Sequence, residues 1–553
     1  MFKNHLKIAL RNLWKNKTFS LVNLLGLSVA FASSLLLFLN AFFELSYDSF
    51  HENGDRIFRI VMKDNLPDGA SMGRNMPPPF APALKAEVPD IEYVTRHQEN
   101  RGTVAVQDKK IEESLDFVDA DYLQMFSFQL LKGNPKTALS DLSSVVLRED
   151  VAKSIFGDQD PMNKPIRIFC GGIDKTFVVS GILQKPPRNS QLRFDILTRF
   201  ENNPTYQESK DRWDYFNHSV FIEVKSNTTL EAVERKLKPF TKKYYAESIK
   251  QLQNEGVKPD ERGEVRSLRL QPLSDIHFNA MLRPGNPYLY VYMLFIISGL
   301  IVVIASVNFV NLSVARSLTR AKEVGMRRVL GAMKWQIIGQ FWGEAILICL
   351  ASFAVGLLLV NVIYEIAFKT RILSEMHFNP WILSALLFVF LSVTILAGAY
   401  PAWLISRLET ILVLKGKITA GKSHFVRNGL IVLQFSIAIL LIISTIVISE
   451  QLRFFRNMPL GFNAQEVVSI PVGNVASGSE MLTFLQNELG NRPEILSISA
   501  ASYNFGRGED GSVTKSVTSF KYKDGTVAAD NLTIGYDFLK TMDLKLVAGR
   551  DFS

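Results

Sequence analysis

Cysteine and histidine are scarce in this chain of 553 residues, and their scarcity excludes several kinds of site. The two cysteines, Cys170 and Cys349, are too few for a disulfide framework or a thiolate zinc site. The seven histidines show no metal-ligand spacing with one another or with acidic residues. The sequence therefore predicts no metal site, no catalytic residue and no cofactor, and we expect the protein not to be an enzyme.

Charged residues are missing from five stretches, each long enough to cross a bilayer, which takes about 20 apolar residues. With 47% hydrophobic residues, the chain is too apolar for an ordinary soluble protein of this length. The first stretch is too long for the apolar core of a signal peptide, so we expect an uncleaved anchor. The predicted spans are residues 19–43, 289–312, 336–364 (free of charge from 345), 381–406 and 428–449.

Lys and Arg flank these spans unevenly, which predicts the orientation of the chain. The net charge is +9, and the cations cluster beside the apolar runs, which favours a membrane surface over nucleic acid. The cation-rich segments are placed in the cytoplasm: residues 1–18 (an amphipathic elbow helix against lipid), 313–335 and 407–427. Residues 44–288, 365–380 and 450–553 then lie outside.

The long outer segment, 44–288, mixes strand-like and helical patterns, which indicates an α+β domain. A short helix is predicted over 149–156, ended by Gly157. A longer one begins near Thr228, where Glu231 gives capping-box spacing, and kinks at Pro239. Strands are predicted over residues 103–106, 144–147, 176–182, 219–224 and 265–270.

A motif of the outer segment recurs 416 residues later with identical internal spacing. Asp121-Tyr122-Leu123, Phe128, Leu130-Leu131 and Gly133 return as Asp537-Phe538-Leu539, Leu544, Leu546-Val547 and Gly549. Such a long period indicates duplication of a unit made of spans and an outer domain. We expect the second copy, from residue 450, to be truncated at 553.

Two familiar motifs occur in contexts that exclude their usual functions. Residues 416–423 fit the phosphate-binding pattern GxxxxGK[ST], but a short linker before a span leaves no room for the sheet that a nucleotide-binding loop requires. Residues 69–73 fit the nucleophile pattern GxSxG, but their Pro-rich flanks predict a flexible loop, not a strand–turn–helix. We reject both as sites.

The segment between the second and third predicted spans is short and strongly basic. It carries six cations and a single acid, Glu323, and it contains no proline. Leu330 followed by Gly331 predicts a helix end, because glycine accepts the left-handed conformation without a steric penalty. A basic helix held between two spans suits docking onto another protein.

Glu344, just inside the third span, is a functional candidate because ionisable residues are rare at membrane depth. Its place near the cytoplasmic end also fits an interfacial residue.

These residues resemble the coupling segment of MacB/FtsX-type ABC transporter permeases, whose pattern reads roughly E-x-G-x-[RK]-[RK]-x-x-G-A. The matching residues here are Glu323, Gly325, Arg327, Arg328, Gly331 and Ala332. Tyr400-Pro401-Ala402 and Leu10-Arg11-Asn12-Leu13 also resemble family patterns. The resemblance implies an α-helical multi-span membrane protein with an α+β extracytoplasmic domain, in the duplicated form common in Bacteroidetes-like bacteria, with its second half incomplete.

The resemblance also implies a function, in which a separate cytosolic ABC ATPase dimer docks on the basic helix and moves the outer domains. Glu323, Arg327 and Arg328 are the expected polar contacts, and Gly325 and Gly331 permit close approach and helix termination. For Arg316 and Arg320 we expect a role in topology alone. Export of peptides, antibiotics or lipoproteins from a bacterial inner membrane is the expected activity, with a periplasmic adaptor and an outer-membrane channel as further partners. The alternative is a signalling permease that controls a cell-wall hydrolase or senses a ligand.

Overall fold

The computed structural model describes residues 11–66, 69–106, 109–278, 288–368, 423–463, 466–470, 472, 477–503, 516–522 and 525–552, with a few residues between 384 and 395. The chain divides into two compact units. The first comprises Met1–Ser46 and Asn286–Arg456, and the second comprises Tyr47–Gly285 and Asn457–Ser553. The predicted fourth span and the 416–422 part of the phosphate-loop match lie almost wholly outside the described residues.

Long apolar helices build the first unit. In the described residues, four helices are long and apolar enough to cross a membrane. They are the first span (Lys17–Leu45), the second span (Tyr288–Thr319), the third span (Lys334–Phe368) and the fifth span (Ser423–Asn457). Each helix is longer than its charge-free core, because polar residues at the ends continue the same backbone hydrogen bonding.

The first span packs against the second and third spans through small side chains. Ser34 and Ser298 share a hydrogen bond of 2.7 Å between their hydroxyls. Gly356 of the third span lies so close to the first span that a Cβ there would be 3.0 Å from the Cβ of Phe31 and 3.2 Å from the carbonyl oxygen of Ser28. Small residues at such crossings let helix backbones approach where lipid provides no hydrophobic driving force.

The second unit is built on a sheet of thirteen strands within residues 47–278. The strands are β1 (Ile57–Leu66), β2 (Gly69–Gly73), β3 (Asn75–Met76), β4 (Ile91–Gln98), β5 (Arg101–Val106), β6 (Lys109–Val118), β7 (Leu130–Lys132), β8 (Ser144–Arg148), β9 (Pro165–Cys170), β10 (Ile173–Leu183), β11 (Ile196–Arg199), β12 (His218–Val224) and β13 (Arg266–Pro272). Their order is β11-β8-β10-β9-β5-β6-β4-β12-β1-β13. Outside this order, β2 pairs with β1, β3 pairs with β12, and β7 pairs with β10.

Two of the three buried apolar clusters of this domain lie on different parts of this sheet. A parallel pairing of β11 with β6 closes the six strands from β11 to β6 into a ring. Inward residues such as Leu115, Leu147 and Val179 fill that ring. The open end, β4-β12-β1-β13, is covered by the helices Phe80–Glu87 and Leu230–Tyr244, which bury Leu84 and Leu237 completely. This arrangement confirms the predicted α+β domain.

The helices of the outer domain follow the sequence signals closely but not everywhere. Glu149–Phe156 ends at Gly157, as predicted. The longer helix begins one residue later than expected, because Thr229 is the residue whose hydroxyl accepts the amide of Ala232. The helix Leu230–Tyr244 runs through Pro239, and the break before the next helix, Ala246–Asn254, falls at Tyr245. The remaining short helices here are Tyr122–Met125, Tyr206–Ser209 and Leu273–Ile276.

The GxSxG match is a strand, which corrects the expectation of a flexible loop. Gly69–Gly73 forms β2 and pairs antiparallel with β1, with Ser71 opposite Asp64. An edge strand of a hairpin offers neither the sharp turn nor the following helix that a nucleophile requires, so the rejection of this motif stands.

The last part of the second unit contains the helices Gly478–Leu489 and Phe538–Thr541 and the hairpin β14 (Ser516–Tyr522) and β15 (Gly525–Asn531). The two copies of the repeated motif share a short helix, although Leu130–Lys132 is a strand and its counterpart at 546–548 is not. Tyr122–Met125 and Phe538–Thr541 are both four-residue helices that follow an aspartate.

Candidate functional site

The basic segment folds as a nine-residue helix between the second and third spans. The second span continues to Thr319, the basic helix is Ala321–Val329, and the third span begins at Lys334. The predicted basic segment therefore contributes its ends to the two spans. Gly331 ends the basic helix with φ of +94°, as predicted. The amides of Gly331 and Ala332 donate to the carbonyls of Arg328 and Arg327 and close the last turn.

One face of the basic helix is packed against the start of the third span. Val324 is buried against Ile337, with Ala332 and Phe341 beside them. At the next turn, Arg327 donates from Nη1 to Oε1 of Gln340 over 2.7 Å. Apolar burial and this hydrogen bond together fix how the basic helix is rotated on the third span.

Glu323 is paired within the protein. Its carboxylate accepts from Nη2 of Arg327, one turn later, over 2.7 Å, and from Nε of Arg320 over 3.3 Å. Pairs at this spacing on an exposed helix surface contribute only about 0.3–0.5 kcal/mol, because solvent screens them. Their effect is therefore to orient these side chains, with little gain in stability.

Glu344 lies one turn after Gln340 on the third span, and its side chain is only 7% exposed. Arg320 donates from Nη1 to both carboxylate oxygens, over 3.2 and 3.1 Å. Asn12, in the helical segment before the first span, donates from Nδ2 to Oε1 of Glu344 over 2.8 Å. Arg316 completes the group by donating from Nη2 to the carbonyl of Asn12 over 3.4 Å. Arg316 and Arg320, for which the sequence predicted a role in topology alone, both have specific partners.

The opposite surface of the basic helix is apolar and exposed. Met326, Val329, Leu330 and Met333 are 58–81% exposed, and Trp335 follows them at 59%. Met326 and Val329 lie on the basic helix, Leu330 and Met333 follow its end, and Trp335 lies in the first turn of the third span. We name these five residues the apolar surface. The sequence pattern did not predict it, because the last three residues lie beyond the end of the basic helix and share no helical period with the first two.

The predicted coupling residues thus occupy three different environments. Glu323 and Arg327 are paired on the helix, Gly325 is buried, and Gly331 forms the left-handed end. Arg328 is half-buried on the helix, not an open cation. Among the described residues, no three His, Cys, Asp or Glu side chains are grouped to hold a metal ion.

Comparison with known families matches two regions of the chain. Residues 20–240 match the MacB-like periplasmic core domain, and residues 295–410 match the FtsX-like permease C-terminal family. The chain belongs to the MacB/FtsX-type ABC transporter permeases. It is an inner membrane protein with a periplasmic domain, and the predicted fold class is confirmed.

Relatives of this permease are distant in sequence. The macrolide export ATP-binding/permease protein MacB of Neisseria gonorrhoeae is 24% identical over 258 residues, which cover 46% of this chain and 36% of MacB. The permease thus spans about a third of that relative's length. YvrN, an uncharacterized ABC transporter permease of Bacillus subtilis, is 22% identical over 443 residues, which cover 74% of this chain and 98% of YvrN.

Two solved structures also match part of the permease. The periplasmic region of MacB from Actinobacillus actinomycetemcomitans is 14% identical and covers 42% of this chain and 95% of its own, with a TM-score of 0.28. A permease domain from Porphyromonas gingivalis is 20% identical and covers 40% of this chain and 91% of its own, with a TM-score of 0.34.

Proposed function

We propose that this permease receives a separate cytosolic ABC ATPase on its basic helix and conveys the motion of that ATPase to the periplasmic domain. The observation that carries the proposal is the two-sided character of the basic helix. One side is fixed to the third span by Val324 and by the hydrogen bond from Arg327 to Gln340. The other side presents the apolar surface, with Leu330 81% exposed at its centre.

The proposed orientation puts the N-terminus and the basic helix in the cytoplasm. The cations that precede the first span and those of the basic helix support it, because short cytoplasmic flanks are enriched in Lys and Arg.

The apolar surface supplies the affinity in this proposal, and the charges supply orientation. Complete burial of a large apolar side chain is worth about 1.5–3 kcal/mol. Glu323 and Arg327 already satisfy each other, so we assign them the shaping of the helix and a polar rim around the apolar surface. The proposed contact also includes Arg328 as a polar contact and Gly325 as a point of close approach. Gly331 ends the helix and so presents Leu330.

ATP hydrolysis belongs to the partner in this proposal, and the permease is not itself an enzyme. Closure of the ATPase dimer would move the basic helices, and the spans would pass that displacement to the periplasmic domains without cargo crossing between them. Peptides, antibiotics or lipoproteins are the proposed cargo, in line with the macrolide export named for the MacB relative. A periplasmic adaptor and an outer-membrane channel are the proposed further partners.

Co-purification tests the docking surface directly. The permease would be co-expressed with its candidate ATPase as wild type, as Met326→Ser/Leu330→Ser and as Glu323→Ala/Arg327→Ala/Arg328→Ala. We expect the apolar pair to reduce bound ATPase at least tenfold, because each serine removes about 2 kcal/mol of burial. The charge variant should have a smaller effect that decreases with added salt, because salt screens the exposed charges that the wild type uses.

The matched control is Leu142→Ser, which changes a 48% exposed leucine of the outer domain and should leave ATPase binding unchanged. Equal binding by the wild type and the apolar pair would overturn the proposal.

A further inference from the structure

Glu344 is buried at a depth where an ionised carboxylate is costly unless it is paired. It follows Gln340 by one helical turn and precedes Ala345 and Ile348, which are buried in the apolar core between the first, second and third spans. A side chain that served packing alone would be apolar at this position. The role of this carboxylate therefore lies in the side chains that it binds.

Two residues from other segments bind this carboxylate, and a third is joined to it through Asn12. Arg320, at the start of the basic helix, donates to both oxygens, and its guanidinium lies 5.0 Å from the ring centroid of Phe341. The same guanidinium donates to Glu323 on the basic helix. Asn12 joins the segment before the first span to Glu344, and its carbonyl accepts from Arg316 of the second span.

The connection from the basic helix to the first span has few steps. It runs from Glu323 through Arg320 and Glu344 to Asn12, and the first span begins at Lys17. The first span in turn leads through Leu45 directly into the periplasmic domain, whose strand β1 begins at Ile57. A displacement of the basic helix thus has a hydrogen-bonded route to the helix that enters that domain.

We propose that Glu344 is a positioning residue that transmits displacement of the basic helix to the first span. The inference rests on the proposed docking of an ATPase on the basic helix. It assigns to the buried Arg320–Glu344–Asn12 group the step after docking. Loss of the carboxylate should therefore separate ATP hydrolysis from motion of the periplasmic domain and leave docking intact.

The test compares three quantities for the permease–ATPase complex in lipid nanodiscs: bound ATPase, hydrolysis rate, and the ATP-dependent change in amide hydrogen exchange of residues 46–60. Glu344→Gln keeps the shape and an acceptor oxygen but removes the charge. We expect bound ATPase within twofold of wild type, continued hydrolysis, and an ATP-dependent change in exchange reduced at least fivefold. Asn12→Ala, at a half-buried position where folding is less at risk, should give the same pattern.

A matched control and a rescue complete the design. Glu450 is an exposed glutamate on the fifth span, paired with Arg453 at 3.6 Å, and Glu450→Gln should leave all three quantities unchanged. The double variant Asn12→Asp/Glu344→Gln moves the carboxylate to the other side of the same hydrogen bond and should restore at least half of the ATP-dependent change.

The possible outcomes separate the two proposals. Unchanged transmission in Glu344→Gln, or loss of ATPase binding together with transmission, would overturn the positioning role. A wild-type complex that fails to bind the ATPase would refute the docking proposal, and this inference with it, before any variant is compared.

Discussion

Gly133 and Gly549 lie 416 positions apart and have nearly the same left-handed backbone, with φ of +100° and +95°. They occupy the same place in the repeated motif, but their surroundings differ. A Cβ at Gly133 would lie 2.7 Å from the carbonyl oxygen of Ser180, whereas a Cβ at Gly549 would meet nothing within 4 Å.

The two glycines predict that replacement by alanine lowers the free energy of unfolding by different amounts. Gly549→Ala should destabilise its surroundings by about 1–2 kcal/mol, because only the left-handed conformation is strained. Gly133→Ala adds a backbone clash with β10, so we expect its cost to be at least twice as large. Urea unfolding of each variant measures both values. Equal losses at the two positions would show that the close approach to Ser180 does not matter.

Asp48 and His51, just beyond the first span, are buried. Their burial predicts opposite contributions to the pH dependence of the free energy of unfolding. Burial raises the pKa of Asp48 to about 6, against hydrogen bonds from Gln191 and Ser190 that lower it. Burial lowers the pKa of His51 to about 4. The folded state therefore favours protonated Asp48, and that contribution is lost as pH rises from about 3.8 to about 6. It also favours neutral His51, and that contribution is lost as pH falls from about 6.5 to about 4.

These two contributions nearly cancel in the wild type between pH 4 and 6, and single variants should separate them. In Asp48→Asn, the free energy of unfolding should rise by roughly 3 kcal/mol from pH 4 to 6.5, since two pK units correspond to about that amount. In His51→Gln, it should fall by a similar amount from pH 4 to 6. Hydrogen exchange in peptides from residues 46–60, corrected for intrinsic rates, measures both slopes. Parallel slopes in the two variants would contradict the assignment.

The left-handed end of the basic helix predicts that Gly331→Ala weakens ATPase binding although no residue of the apolar surface is replaced. Alanine at φ of +94° is strained, so the last turn and Leu330 should shift, and we expect affinity to fall about threefold to tenfold. Gly339→Ala is the control, because Gly339 is helical and has open space around its Cβ position. It should leave affinity unchanged. Binding is measured with purified ATPase on permease in nanodiscs.

The close crossing at Gly356 predicts a packing cost inside the membrane. Gly356→Leu must push apart the first and third spans, so we expect it to lower the midpoint of thermal unfolding in detergent by several degrees. Gly299→Leu, in the second span, meets nothing within 4 Å and should have little effect. A similar shift for both variants would argue against close packing at Gly356.

Local signals in the sequence predicted local structure well. Charge-free runs predicted the described spans, and the Leu330-Gly331 pair predicted the left-handed helix end. Four of the five predicted strands lie within observed ones, and the fifth, 265–270, begins one residue before β13, because β-branched and aromatic runs carry the strand signal by themselves. The closure of six strands through β6 and β11 could not be predicted, since it depends on pairing between residues about 80 positions apart.

The sequence predicted which segment forms the candidate site but not the side-chain contacts within it. The sequence identified the basic helix and Glu344, yet it could not pair Glu344 with Asn12, which is 332 positions away. It also assigned Glu323 and Arg327 to a partner, which stays a prediction; the pairing of these two residues with each other, four positions apart on one helix, was not predicted. Which face of a short helix meets its own protein is decided by tertiary packing, which the sequence pattern alone does not contain.

The contact at Gly356 has a mechanical consequence. Backbones that already touch at one point can swivel there far more easily than they can slide. Within the third span, Lys334–Phe368, Glu344 and Phe368 each lie twelve residues from Gly356, which is about 18 Å along the helix axis. The crossing is thus a fulcrum at equal distances from these two residues. A push at the Glu344 end would reappear at the other face of the membrane with the same amplitude and the opposite sense.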